Sequence, residues 1–321
     1  MNHSNDNHAI FMLDLSYMVE YEIIRHEHLN DIRVFINSIR MRSVHMHRDL
    51  ELLLVLSGSG SVIIKNRSYP LKTDDSLLIN AYDSHEILSN EEPLTVLIVQ
   101  FSNHFLRDYF HAIRNTVFLN PLLRPQFPKE IYESFRNDIL SLAIIYWKED
   151  ALYELRCVEL FSRILQSLFT YAENEELKEN EYAKRKKQNR RIDRIASYID
   201  ANYQGPLRLN EIAEAEGLTT THLSHIITDA FGMSFQDYLK NKRLECSLRM
   251  LSDTSLTLSE IAALSGFSEL KYMTKAFKET FGLSPQEYRN SPVLPAVSYQ
   301  NKDAAEYIFS KEEALAFLHV L

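Results

Sequence analysis

The chain has 321 residues, 45% apolar and 25% charged, with a net charge of −9. That is too long for one ordinary small domain and ample for two packed ones. No apolar run approaches the roughly 18 to 20 residues of a membrane span, and Met1 to Ile10 lacks the basic start and apolar stretch of a signal peptide, so a cytoplasmic protein with no membrane partner is expected. The two cysteines, Cys157 and Cys246, form no CxxC pair, which argues against a structural zinc site or a disulfide framework.

Residues 1–30 read as an N-terminal arm. From about Arg33 to Phe101 the chain reads as short strands: Ile32–Ile39, Leu50–Leu56, Val62–Ile64, Ser76–Asn80 and Thr95–Phe101, separated by turn signals such as Ser57-Gly58-Ser59-Gly60. Such spacing predicts a sandwich or barrel. The apolar period then lengthens. Lys129 to Trp147 places Ile131, Phe135, Ile139, Leu142 and Tyr146 at helical spacing, and Tyr153 to Tyr171 repeats the pattern. Two helices joined at Lys148-Glu149-Asp150 should form an antiparallel hairpin packed on the barrel. Residues 31–171 are thus one sensor-like domain. Residues 172–191, almost purely polar, read as an inter-domain linker. Residues 192–290 are helical throughout, and 291–321 form a tail whose apolar stretch from Ala304 could fold as one or two short helices. The overall expectation is an α+β chain: an N-terminal β-barrel with a helical hairpin, followed by an all-α domain.

Net acidity argues against nucleic acid only if charge is spread evenly. Lys184 to Arg289 holds 16 basic and 13 acidic residues, a net of +3, which leaves −12 for the rest. An acidic sensor joined to a basic reader fits these numbers.

The most informative feature is an internal repeat. Leu209-Asn210-Glu211-Ile212-Ala213 recurs 49 residues later as Leu258-Ser259-Glu260-Ile261-Ala262. In each copy a glycine, Gly217 or Gly266, follows the Glu by six positions, and Phe231-Gly232 or Phe281-Gly282 follows after 15 or 16 more. Each copy reads as a helix-turn-helix. Asn210 and Ser259 are candidate caps for the first helix, Thr219 and Ser268 for the second, and the first glycine ends the leading helix. The second helix of such a unit enters the major groove. In the first copy Thr220, Thr221, Ser224, His225 and Thr228 fall outward, with Leu223, Ile226 and Ile227 inward. In the second copy Leu270, Lys271, Thr274, Lys275 and Lys278 fall outward, with Met273, Ala276 and Phe277 inward. Three lysines and a hydroxyl suit phosphates and base edges, whereas the first copy carries no Lys or Arg on its face. One long helix, Phe235 to Leu251, joins the copies.

Ile192 to Arg289 resembles the DNA-binding domain of the AraC/XylS family of transcription regulators, carried by Tyr238-Leu239, Arg243-Leu244, Leu248, Leu251, Ile261-Ala262, Gly266-Phe267, Phe277-Lys278, Gly282, Ser284-Pro285 and Tyr288-Arg289. The resemblance implies seven helices, with two recognition helices in successive major grooves of double-stranded DNA and Arg243 among the DNA-binding residues. The family usually has a basic residue where His225 stands and often Phe-Lys at Ile227-Thr228. The second copy is therefore expected to carry more of the affinity. The resemblance also implies a homodimer through the helical hairpin, activation more often than repression, and RNA polymerase as a candidate partner.

In the sensor, His45-x-His47-x3-Glu51-x6-Gly58, with His85 later, resembles the metal motif of cupin barrels. His45 and His47 share one strand face, and imidazoles with a carboxylate suit Fe, Mn, Ni or Zn. The chain departs from that pattern at Asp74-Asp75, where a glycine is expected, and at Asn80, where a proline is expected. Three readings stand open: a metal site at His45, His47, Glu51 and His85; a metal-free small-molecule pocket; and fold residues without a role. The AraC-like resemblance implies the second, with no cofactor and a carbohydrate as the expected effector class. Arg40, Arg42, His47, Glu51, Tyr82 and His85 are its expected polar anchors. The expectation is a regulator and not an enzyme; the alternative is a metal-dependent cupin enzyme fused to a DNA-binding module.

Overall fold

The computed structural model describes residues 20–22, 24, 29–65, 67–105, 109–253, 256–290 and 306–319; most of the arm and the first part of the tail lie outside them. The sensor is built from β1 (Glu20–Tyr21), β2 (Ile32–Ile39), β3 (Met41–Met46), β4 (Leu50–Ser57), β5 (Ser59–Ile64), β6 (Arg67–Lys72), β7 (Ser76–Ile79), β8 (His85–Ser89), β9 (Leu94–Phe101) and a short β10 (Thr116–Phe118), then α1 (Lys129–Lys148) and α2 (Tyr153–Tyr171). β11 (Asn174–Glu176) pairs back on β10. The helical domain comprises α3 (Glu179–Asn202), α4 (Leu209–Ala215), α5 (Thr220–Phe231), α6 (Phe235–Asp253), α7 (Leu258–Leu264), α8 (Leu270–Phe281) and α9 (Pro285–Asn290). The tail supplies β12 (Glu306–Ile308) and α10 (Lys311–Leu318).

Two five-stranded sheets, ordered β1-β3-β8-β5-β6 and β12-β2-β9-β4-β7, form the barrel. β4 and β9 read as continuous apolar runs because both their faces are covered. Leu53, Val55, Val96 and Ile98 point into the barrel core, while Leu52, Leu54, Leu97 and Val99 meet the α1–α2 hairpin. Phe161 of α2 packs edge-on against Phe101 of β9, 4.9 Å between ring centres. β5 has only one covered face, so its burial alternates residue by residue.

Three expectations change. The linker is not an open connection: its acidic half contributes β11 and the first turn of α3, and its basic half continues α3, which runs unbroken into the helical domain as far as Asn202. The tail's apolar stretch is one strand and one helix, not helices alone. β12 pairs with the edge of β2, placing Glu306 opposite Ile39 and Ile308 opposite Asn37, and α10 buries Ala314 and Leu318 against the hairpin. A sequence-local reading could not see a strand that pairs with a partner some 270 residues away. The caps also move. Thr257, not Ser259, caps α7, and its box with Glu260 is complete: Glu260 N donates to Thr257 Oγ1 at 3.3 Å and Thr257 N to Glu260 Oε2 at 2.8 Å. Arg208, not Asn210, precedes α4 without a side-chain cap bond. Thr219 caps α5 as expected, but α8 begins after Glu269, not Ser268, and is uncapped by a side chain.

The domains meet along β3. Its Met46 joins the apolar cluster of α3–α6, and Met41 packs on the cluster of α6–α8. Tyr82 Oη donates to Asp193 on α3 at 2.7 Å. Among the described residues no helix is long and apolar enough to cross a membrane.

Candidate DNA interface and effector chamber

The two recognition helices present the faces that spacing predicts. On α5, Thr220, Thr221, His225 and Thr228 are exposed and Ser224 half-buried, over buried Leu223 and Ile227. On α8, Lys271, Lys275 and Lys278 are exposed and Leu270 and Thr274 half-buried, over buried Met273, Ala276 and Phe277. Lys271 lies 2.9 Å from Glu269 and Lys275 3.7 Å from Glu279. Exposed pairs of this kind contribute about 0–1 kcal/mol, little enough for a phosphate to compete. Spacing missed Tyr272, 48% exposed on the flank of α8 with Lys271 Nζ 4.9 Å from its ring centre; an aromatic outside the buried arc of the helix was the available signal.

Arg243 is placed differently from the residues of the recognition helices. Its Nε donates to the Tyr203 carbonyl and its Nη2 to the Gly205 carbonyl, both at 2.8 Å. Half-buried, it staples α6 to the α3–α4 connection. Two of its five N–H donors are thereby committed to backbone.

In the barrel, one end of the interior is polar. His45, His47 and His85 are each 1% exposed. Each Nδ1–H donates to a backbone carbonyl: Ser43 at 2.9 Å, Asp49 at 2.8 Å and Asp83 at 2.9 Å respectively. That fixes all three tautomers and turns three Nε2 atoms toward one another, within 4.8 Å. Glu51 stands among them. Its Oε2 accepts from His47 Nε2 at 3.0 Å and from Gln100 at 2.8 Å, and its Oε1 lies 3.6 Å from His85 Nε2. Arg42 closes the other side, donating from Nε to His45 Nε2 at 2.8 Å and from Nη2 to Glu22 at 2.6 Å.

These contacts set the charge states. Burial alone would raise Glu51, but the hydrogen bond from His47 and the close imidazoles of His47 and His85 hold its carboxyl well below the usual carboxylate range. Burial pulls His47 down, yet the Glu51 bond and charge outweigh it and raise it above an ordinary imidazole. His45 goes the other way: burial and the adjacent Arg42 cation keep it well below. The cluster is therefore a His47–Glu51 ion pair flanked by a neutral His45.

As a metal centre the donor set is right in type, and the fixed tautomers suit it. Only His85 Nε2, however, is left without a hydrogen-bond partner. His45 Nε2 already accepts from Arg42, and His47 Nε2 carries the proton shared with Glu51. An ion would have to displace a guanidinium and a proton.

Of the expected effector anchors, Arg42, His47, Glu51 and His85 are brought together here. Arg40 is not: it is exposed in the turn between β2 and β3, where its carbonyl accepts from Ser89 N at 3.0 Å. Tyr82 is not either, since its hydroxyl is spent on Asp193 at the domain junction. The sequence reading missed Glu22, Asn37, Gln100 and Glu306. For Asn37 and Gln100 a signal existed, a lone amide at an inward position of an otherwise apolar strand.

Residues 37–165 match the family of AraC-like ligand binding domains, and residues 212–291 match a helix-turn-helix domain family. Together these cover most of the chain, which joins an AraC-like ligand binding domain to a helix-turn-helix domain. An uncharacterized HTH-type transcriptional regulator of Staphylococcus aureus is 23% identical over 270 residues, 83% of this chain. The chain spans only about a third (34%) of that relative's length. The regulator YfiF of Bacillus subtilis, also uncharacterized, is 25% identical over 292 residues, 88% of this chain and 86% of its own. ToxT from Vibrio cholerae has a similar fold, with a TM-score of 0.50 and 18% identity over 81% of this chain and 98% of ToxT.

Proposed function

We propose that this chain is an effector-responsive transcription regulator that binds double-stranded DNA through α5 and α8. The observation that carries this reading is the exposed lysine face of α8, set on a helix-turn-helix and duplicated in form but not in charge by α5. The residues assigned to DNA are Thr220, Thr221, Ser224, His225 and Thr228 on the first helix and Leu270, Lys271, Thr274, Lys275 and Lys278 on the second. The effector is a small polar molecule, with a carbohydrate the expected class, received at the polar end of the barrel by Arg42, His47, Glu51 and His85. β3 supports the coupling: it carries Arg42 and His45 toward the chamber while Met41 and Met46 touch both helix-turn-helix units. An effector that favours one setting of β3 shifts the orientation of the reader by its differential affinity. Homodimerisation through the hairpin and contact with RNA polymerase complete the proposal.

The test is a salt titration of the purified chain on duplex DNA. Binding that weakens steeply with salt supports the reading, because each neutralised phosphate adds about 0.9 to the log–log slope. No binding at low salt would sink it. A second reading, a divalent metal as the effector, is favoured by the partnerless Nε2 of His85 and the three fixed tautomers. Elemental analysis after dialysis against Zn²⁺ or Mn²⁺ decides it: stoichiometric metal lost in His85→Ala supports the metal, and none retained by the folded chain removes it.

A further inference from the structure

Both ends of the chain reach into the barrel and meet at one residue. Glu22, from the N-terminal arm, and Glu306, from beyond the DNA-binding domain, both pair with Arg42. Glu306 is 2% exposed, and its carboxylate also accepts from Asn37 Nδ2. It lies opposite Ile39 in the β12–β2 pairing, at an inward-facing position. An apolar residue there would bury more cheaply, since a charge taken out of water is costly unless it is paired. The strand that carries it is short. β12 has three residues, Phe309 N adds one bond to the Ile36 carbonyl at 3.0 Å, and Phe309 meets Phe317 of α10 edge-on, 5.6 Å apart. Ser310 caps α10, and Tyr307 Oη donates to Glu313 at 2.6 Å, so the segment is braced within itself. It is a small unit docked on the sensor by the β12–β2 pairing, by Glu306, by a Lys311–Glu149 ion pair at 2.8 Å and by a few apolar side chains.

We propose that Arg42 and Asn37 form a carboxylate-recognition subsite of the effector chamber. Glu306 occupies it as an intramolecular ligand, and a carboxylate-bearing effector takes its place and releases β12 and α10 from the sensor. This deepens, and rests on, the reading of the barrel as the effector site. Arg42 also donates to His45 on β3. The exchange is therefore felt on the strand whose Met41 and Met46 hold the DNA-binding domain, while the same domain loses its second tether through the tail.

The experiment uses the full chain, acetate as the carboxylate probe and acetamide as its uncharged isostere, at ionic strength matched with chloride. Glu306→Ala lowers the melting temperature; acetate is expected to restore at least half of the loss, acetamide little, and the Arg42→Met, Glu306→Ala double variant neither. In the unaltered chain acetate is expected to accelerate hydrogen exchange of Phe309 and of the α10 amides relative to acetamide, a measurement that stands even where the alanine variant fails to fold. Equal effects of acetate and acetamide would overturn the carboxylate subsite and leave the effector reading intact. No effect of either, in melting or in exchange, would count against both.

Discussion

The two helix-turn-helix units share a fold and differ in what their residues spend. The second has a complete capping box at Thr257, three exposed lysines on α8, and a turn glycine pressed against its neighbour. The first has no side-chain cap on α4, a recognition face of hydroxyls and one imidazole, and a turn glycine in open space. Gly266, at φ +90°, sits so close to the end of α3 that a Cβ would lie 2.5 Å from the Tyr203 carbonyl and 2.7 Å from Gln204 Cα; Gly217, at φ +65°, has nothing within 4 Å. Duplication kept the backbone requirement in both turns. Only the second turn became the joint between the units.

The largest expected difference follows from those glycines. Gly266→Ala should cost about 3 kcal/mol or more, combining left-handed strain with a backbone clash, and Gly217→Ala only about 1 kcal/mol. Denaturation midpoints measure both, and equal losses would erase the proposed joint. Arg243→Ala comes next. It removes two charge-assisted bonds to the Tyr203 and Gly205 carbonyls and should cost about 2 kcal/mol of stability, with the salt slope of DNA binding unchanged; a slope reduced by about one would restore Arg243 to the DNA contacts. Lys275→Ala should then lower that slope by about one, and His225→Ala should leave it nearly unchanged. Matching slopes in the two variants would mean that the units share the phosphate contacts evenly. The smallest effects concern the caps. Thr257→Ala should lose about 1 kcal/mol, whereas Arg208→Ser, by giving α4 the cap that α7 already has, should gain about 0.5 kcal/mol. A loss in the second case would show that Arg208 already stabilises the α4 terminus by other means.

Local signals were strong where periodicity and turn chemistry act within one element. The hairpin was readable to within a residue, 129–147 expected and Lys129–Lys148 observed, then Tyr153–Tyr171 at both ends. The faces of α5 and α8 followed from helical spacing alone. Signals weakened where a side chain's task is set by a distant partner. Arg243 matches a family position and is basic, so it read as a DNA contact; its carbonyl partners on the α3–α4 connection are some 40 residues away. Tyr82 and Arg40 stand near His85 and Arg42 in sequence, but a turn with Tyr82 at φ +64° and a strand end carry them away from the histidine–glutamate cluster.

The sequence by itself determined the order of the domains, the duplicated helix-turn-helix, the asymmetry of charge between its copies, and the histidine–glutamate cluster of the barrel. Each rests on residues close in the chain, whose geometry follows from strand alternation or helical pitch. The tertiary structure alone decided that Arg42 binds the carboxylates of Glu22 and Glu306, that β12 extends the β2 sheet, and that β3 faces the histidine–glutamate cluster on one side and the helical domain on the other. The two Arg42 pairings alone span 20 and 264 residues. Sequence proximity says nothing about them, because burial and charge compensation are settled only when the sheets close.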